Sequence, residues 1–144
     1  SYHSTQGNAV LIGDAAHSTG GTLGQGANSA LLDVVELDRS LEVCEDDIKR
    51  GISLFSRKQV PEGLALWKLL QIPSKLPAPL KLFYLLTNFV AGLLSKVFTG
   101  WISPPTQILL SQTLTPFTEI CRRNRLWLWF ALKKYKQVVY DPER

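Results

Sequence analysis

Methionine is missing altogether from the 144 residues. A reading frame opens with one, so Ser1 is expected to lie inside something larger or processed. Cysteine is nearly missing: Cys44 and Cys121 stand far apart, with no CxxC pairing and no histidine beside either. That argues against a disulfide scaffold or a zinc site and leaves two ordinary buried thiols. No secretory signal opens the chain. Acids are scarce in the second half, where residues 63–140 carry ten bases and Glu119 alone, against nine acids and five bases in residues 1–62. The net charge of +4 hides this division. A long uncharged apolar run is also lacking. In Leu80–Phe98, Lys81 and Lys96 bracket fourteen uncharged residues, whereas a simple membrane span needs about 20. Such a stretch suits an in-plane or hairpin-like membrane contact. What remains, 45% hydrophobic and 19% charged, is globular. It is too apolar for a disordered chain, too poor in Gly and Pro for a fibrous one, and long enough for one real core.

The pattern along the chain predicts mostly helix with one or two strands. Asn8–Ala9–Val10–Leu11–Ile12, stopped by Gly13–Asp14, reads as a strand buried on both faces. Residues 17–26 form a glycine-rich loop. From Gly26 the apolar residues Ala27, Ala30, Leu31, Val34, Leu37 and Leu41 recur at three and four, with Ser29, Asp33, Glu36, Arg39 and Ser40 on the other faces. This predicts an amphipathic helix to about Val43. A second helix is expected from Glu45–Asp46, whose acids suit a helix start, with Ile48, Ile52 and Phe55 as its stripe. Val60–Pro61–Glu62 restarts or kinks it, and Leu64, Trp67, Leu69 and Leu70 carry the apolar face to Pro73. Pro73–Pro79, with three prolines in seven residues, reads as a linker or sharp corner. It would divide residues 1–72 from an apolar, basic helical region, 80–144. In that region Gly100–Pro105 is a break, and a moderately apolar helix from Ile108 to Cys121 is interrupted by Pro116. No internal repeat is present.

The site-like residues lie in the first thirty. A strand ending in Gly13–Asp14, then a glycine-rich loop, then a helix opening at Gly26 is a ligand-binding arrangement, because open α/β sheets place ligands at the carboxyl ends of their strands. Asp14 can accept hydrogen bonds from two hydroxyls of a polyol or ribose. Gly20, Gly21, Gly24 and Gly26 let backbone N–H groups approach a flat or anionic ligand. The helix start at Gly26–Asn28 adds unpaired donors and positive dipole potential. The dinucleotide fingerprint is not matched: Gly24-x-Gly26-x-x-Ser29 lacks its third glycine and does not directly follow the strand.

The run Leu11-Ile12-Gly13-Asp14-Ala15-Ala16-His17, followed by Gly24-Gln25-Gly26-Ala27-Asn28, resembles the second flavin motif of the FAD-dependent aromatic hydroxylase family, with the para-hydroxybenzoate hydroxylase fold. Asp33 falls in the helix that family members continue. Phe55–Leu66 is similar to the helix pair of the kynurenine 3-monooxygenase-like branch, and the resemblance covers roughly residues 8–70. It implies that the chain is the C-terminal part of an α/β FAD-binding fold. By the same resemblance Asp14 meets the ribityl chain of FAD, Gly13, Gly24 and Gln25 are further contacts of the cofactor, and Gly26, Ala27 and Asn28 meet the pyrimidine edge of the isoalloxazine. There the helix dipole would stabilise the anionic reduced flavin. The implied activity is monooxygenation of an aromatic or lipophilic substrate, with NAD(P)H as reductant and a flavin C4a-hydroperoxide as oxygen donor. Two departures stand out. Gly20 and Gly21 occupy places where many relatives have proline, and no strand–GxGxxG–helix unit for the ADP part of FAD is present. The expected partners are therefore the N-terminal part of the same enzyme, a hydrophobic small molecule and a membrane surface. Isolated, the chain is expected not to hold FAD tightly.

Competing readings attach to several residues. Asp14 could be a turn residue, and the glycines a surface loop. His17 is expected to pack or hydrogen-bond rather than to transfer protons. Asn28 could do no more than complete a helical turn, its backbone being the better candidate for a ligand role than its side chain. Arg57–Lys58 reads as a solvated face. The cluster Trp127–Phe130 suits helix packing first, then a membrane belt; nucleic-acid stacking ranks last, since no recognised module frames it. The rival to an enzyme is a non-catalytic helical module that binds a membrane or partner and keeps a degenerate flavin loop.

Overall fold

A computed structural model describes residues 1–18, 26–98, 104–112 and 115–133, with the side chains of 111 and 112 left aside. The described residues form seven helices: α1 (Asp14–His17), α2 (Gly26–Val43), α3 (Ile48–Lys75), α4 (Ala78–Val97), α5 (Thr106–Gln112), α6 (Phe117–Arg123) and α7 (Arg125–Leu132). The expected buried strand is absent among them. Its place is taken by a single antiparallel bridge between His3 and Val10, with Leu11 N–H donating to the Tyr2 carbonyl and Ser4 N–H to that of Ala9. Gly7, at φ +68°, turns the chain between them as few side chains would allow. Leu11 and Ile12 are exposed. A strand buried on both faces needs paired neighbours and a covering layer, and the described residues supply neither.

Helix α2 occupies its expected span but is rotated relative to its apolar stripe. Ser29, Asp33 and Ser40 face inward, while Leu31 is 66% and Val34 51% exposed. The inward face carries short side chains, which allows α2 to pack closely on α3. At Gly51 a Cβ would come within 2.6 Å of a Leu41 methyl. The acids Glu45 and Asp46 do not start a helix. Both take left-handed backbone, at φ 54° and 60°, closing the turn after α2, and the Asp46 amide donates to the Leu41 carbonyl at 3.0 Å. The cap of α3 is Asp47, whose carboxylate accepts from Arg50 N–H at 3.1 Å.

Helix α3 runs unbroken through Pro61 and Pro73. The proline-rich stretch thus spans the end of α3, buried Leu76, and the first turn of α4, where Pro79 is tolerated. Ile52 and Phe55 are buried as expected, but Ile48 is exposed. Further along, Ala65, Leu66, Leu69, Leu70 and Ile72 form the buried face, leaving Leu64 and Trp67 partly in solvent. That face packs with Leu109, Leu110, Ile120 and Ala131 in one core. Trp127 and Leu128 pack against this core, whereas Trp129 and Phe130 are exposed and meet edge to face at 4.8 Å. The aromatic cluster therefore splits between packing and surface.

Helix α4 touches the body along one narrow line. Tyr84 is its buried residue and meets Trp127 edge-on at 5.0 Å. Asn88 accepts from Thr106 N–H at 3.3 Å, and Thr106 Oγ donates to Asn124 Oδ1 at 2.9 Å. Leu80 also packs against the core, but most of α4, including Leu82, Leu86, Phe89, Val90 and Leu93, is exposed.

Candidate functional site

Among the described residues, the Gly13 turn, α2 and the middle of α3 meet around Asp33 and His17. Gly13 is buried and adopts φ +59°, a conformation that disfavours any side chain. Its amide donates to Asp33 Oδ2 at 2.7 Å. One turn nearer the start of α2, a Cβ on Gly13 would lie 3.1 Å from that of Ala30. The turn is thus pressed against the opening turns of α2. Asp14 begins α1 with its side chain exposed, and Ala27 and Asn28 are exposed at the start of α2. No acid lies in that first turn to compete with an anionic ligand. Gly24 and Gln25, like Gly20 and Gly21, lie outside the described residues.

His17 ends α1 and turns inward. Its Nε2 lies 2.6 Å from Asp33 Oδ2, with both side chains more than nine-tenths buried. The bond to Asp33 raises the imidazole pKa above 6.5, against the desolvation that lowers it. His17 Nδ1 is buried without a hydrogen-bond partner among the described residues. Tyr2 stacks obliquely near the His17 ring, with centroids 6.0 Å apart, and its phenol pKa is raised by burial and by the Asp33 charge. Its amide donates to Ser56 Oγ at 2.8 Å. Gly63 of α3 makes room for this pair: a Cβ there would collide with the Tyr2 hydroxyl and approach the His17 Cβ at 3.1 Å.

Beside this cluster lies a partly open cavity of about 400 Å³, lined among others by His17, Asp33, Arg39, Lys58, Glu62 and Phe117. Lys58 is paired with Glu36 at 2.6 Å, so half of the expected solvated Arg57–Lys58 face is engaged across helices. Glu62 accepts from Thr118 Oγ and N–H, at 2.5 and 3.2 Å. Cys44 is buried, and Cys121, half-buried, directs its thiol at the Ala65 carbonyl at 3.2 Å. Burial pushes the Cys121 pKa up to about 11, keeping the thiol protonated.

The organising role of Asp33, and those of Tyr2, Ser56 and Gly63, do not follow from the sequence pattern. The available signal for Asp33 is its alignment with Ser29 and Ser40, a stripe of small polar residues at helical spacing. The expected hydrogen-bonding role of His17 is the one observed.

The family described as the FAD binding domain matches residues 2–46. The kynurenine 3-monooxygenase of Caenorhabditis briggsae is 28% identical over 129 residues, covering 85% of this chain and 27% of the relative. That of Stenotrophomonas maltophilia is 32% identical over 126 residues, covering 84% and 27%. A 3-hydroxybenzoate 6-hydroxylase of Klebsiella oxytoca is 39% identical over 52 residues, covering 36% and 13%. The chain thus spans about a quarter of the length of the two monooxygenases it matches. No solved structure matches it.

Proposed function

We propose, from this relationship to the FAD-dependent aromatic hydroxylases of the kynurenine 3-monooxygenase-like kind, whose cofactor is FAD, that the chain forms part of a flavin monooxygenase acting on an aromatic or lipophilic substrate. Residues 1–72 would complete an α/β FAD-binding domain, with Asn8–Ile12 joining a sheet built from the rest of the enzyme. Residues 73–79 turn the chain into the apolar, basic region 80–144. The exposure of Leu11, Ile12, Leu31 and Val34 supports this, since strand and helix faces of that kind are normally covered.

The donor set fits one edge of a flavin. Gly13 and Asp14 would hold the ribityl chain, the Asp14 carboxylate accepting from its hydroxyls. With Gly24 and Gln25 as further contacts of the cofactor, Gly26, Ala27 and Asn28 would line the isoalloxazine, the α2 amides donating to its pyrimidine edge. The dipole of the 18-residue α2 would stabilise negative charge developing there. Bound FAD would supply the redox chemistry, with NAD(P)H as reductant and O₂ as oxidant, one oxygen atom going to substrate and the other to water. The residues of this chain bind, orient and shield; proton transfer is assigned to none of them. The observation supporting the reading most is the seating of the Gly13–Asp14 turn on the opening turns of α2 through Ala30 and Asp33. Asp14→Ala in the complete natural protein is expected to weaken FAD binding about tenfold or more, as loss of hydrogen bonds to a charged acceptor should. Quenching of flavin fluorescence measures it, and unchanged affinity would refute the assignment.

A second reading is favoured by α4, the one described helix long and apolar enough to cross a membrane by length and composition. Its Tyr84–Asn88 line lies on the protein body, so an in-plane contact suits it better than a span. A membrane surface would then be a partner, with Trp129 and Lys133, whose ammonium sits 4.8 Å over the Trp129 ring, near the interface. Sedimentation with anionic vesicles should exceed that with neutral ones. Equal sedimentation removes the anionic-surface proposal.

A further inference from the structure

We infer that Asp33 is the positioning residue of the flavin site: a single buried carboxylate oxygen ties both ends of the Asp14 turn to the helix whose first amides complete that site. The inference rests on the flavin reading above and adds to it a residue that does not itself touch the cofactor.

Asp33 Oδ2 receives the Gly13 amide at 2.7 Å and lies 2.6 Å from His17 Nε2. These two donors flank Asp14, Ala15 and Ala16, so the one oxygen clamps the turn before and after the exposed carboxylate. Both contacts are short, as charge-assisted hydrogen bonds are. Asp33 is only 3% exposed, so water does not weaken them. Gly13 holds a left-handed backbone, which is retained where surrounding contacts fix it.

Asp33 also sets a fixed distance along one element. Asp33 stands seven residues beyond Gly26 on α2, a rise of about 10 Å on a rigid helix. The turn bearing Asp14 is therefore indexed to the Gly26–Asn28 amides through hydrogen bonds and helix geometry. Close packing of Gly13 on Ala30 removes slack between them. Rotation of α2, which buries Asp33 and leaves Leu31 outside, is what makes this clamp.

The test is a double-mutant cycle in the complete natural protein, with FAD dissociation constants read by flavin fluorescence. Asp33→Asn should weaken FAD binding about tenfold or more. Because Asp33 acts through Asp14, adding it to Asp14→Ala should cost no more than about a further threefold. Unchanged FAD affinity in Asp33→Asn, or losses that multiply in the double variant, overturn the positioning role. If Asp14→Ala itself binds FAD normally, the flavin assignment fails instead, and this inference with it. Should Asp33→Asn not fold, His17→Ala removes one arm of the clamp and should weaken FAD binding about threefold to tenfold. His17→Gln, which retains an N–H donor, should restore most of it. Wild-type FAD affinity in His17→Ala, or no rescue by His17→Gln, counts against the clamp.

Discussion

At His17 a buried imidazole meets a buried carboxylate, and the sign of its pH dependence follows from the shift. Asp33 raises the imidazole pKa, Asp14 adds a smaller push in the same direction, and desolvation opposes both. Tyr2 packs near the ring, and Glu36, Arg39, Lys58 and Glu62 line the cavity beside it. A folded-state value above the unfolded one means that the folded protein holds the proton more tightly. The stabilisation is therefore fully present below about pH 6.5 and is lost as pH rises through the raised folded value. The stability difference between wild type and His17→Gln should shrink over that window, as followed by denaturant unfolding. An NMR titration midpoint for His17 at or below 6.5 would contradict the coupling. The turn at Gly13–Asp14 and the hydrogen-bonding of His17 are legible in the sequence because a compact motif marks them. Asp33 is not, because its neighbours Leu31 and Val34 claim the buried face in any hydrophobic count, and the linear pattern cannot say what covers them.

Among the elements, α2 shows how boundaries can be legible while orientation is not. A change of period at Gly26 and loss of pattern after Val43 mark its ends. Its rotation depends on close packing against Gly51 of α3, a tertiary fact. Prolines mislead in α3 for a local reason. Pro61 lies on an exposed position, and the carbonyl it leaves unpaired belongs to exposed Arg57, where water can serve. The α2–α3 turn offers a direct prediction. Glu45 holds φ 54°, which costs an L-residue roughly 1 kcal/mol or more. Glu45→Gly should raise unfolding free energy by up to about 1 kcal/mol, reduced by the greater freedom of glycine in the unfolded chain. Thermal unfolding of the two proteins decides it, and a lowered midpoint would mean the turn is not strained.

For the molecule as a whole, helical character is legible from composition and period, but the strand expectation is not met among the described residues. Val10, Leu11 and Ile12 have strand chemistry, and a strand exists only with partners. The purified 144-residue chain is expected to show no stoichiometric flavin absorbance after FAD is added and excess removed. A one-to-one yellow complex would show that these residues suffice for tight binding. Core packing joins α3 to α5, α6 and α7 in one body, so the second half is more than an appendage to the first.

That union has a practical corollary in two adjacent residues of α3. Glu62 grips α6 through Thr118, and the very next residue, Gly63, is the floor on which Tyr2 and His17 rest. Grafting another C-terminus onto this chain would therefore disturb the Tyr2–His17 packing from behind, and a workable chimera would have to carry a replacement for Thr118 along with its new tail.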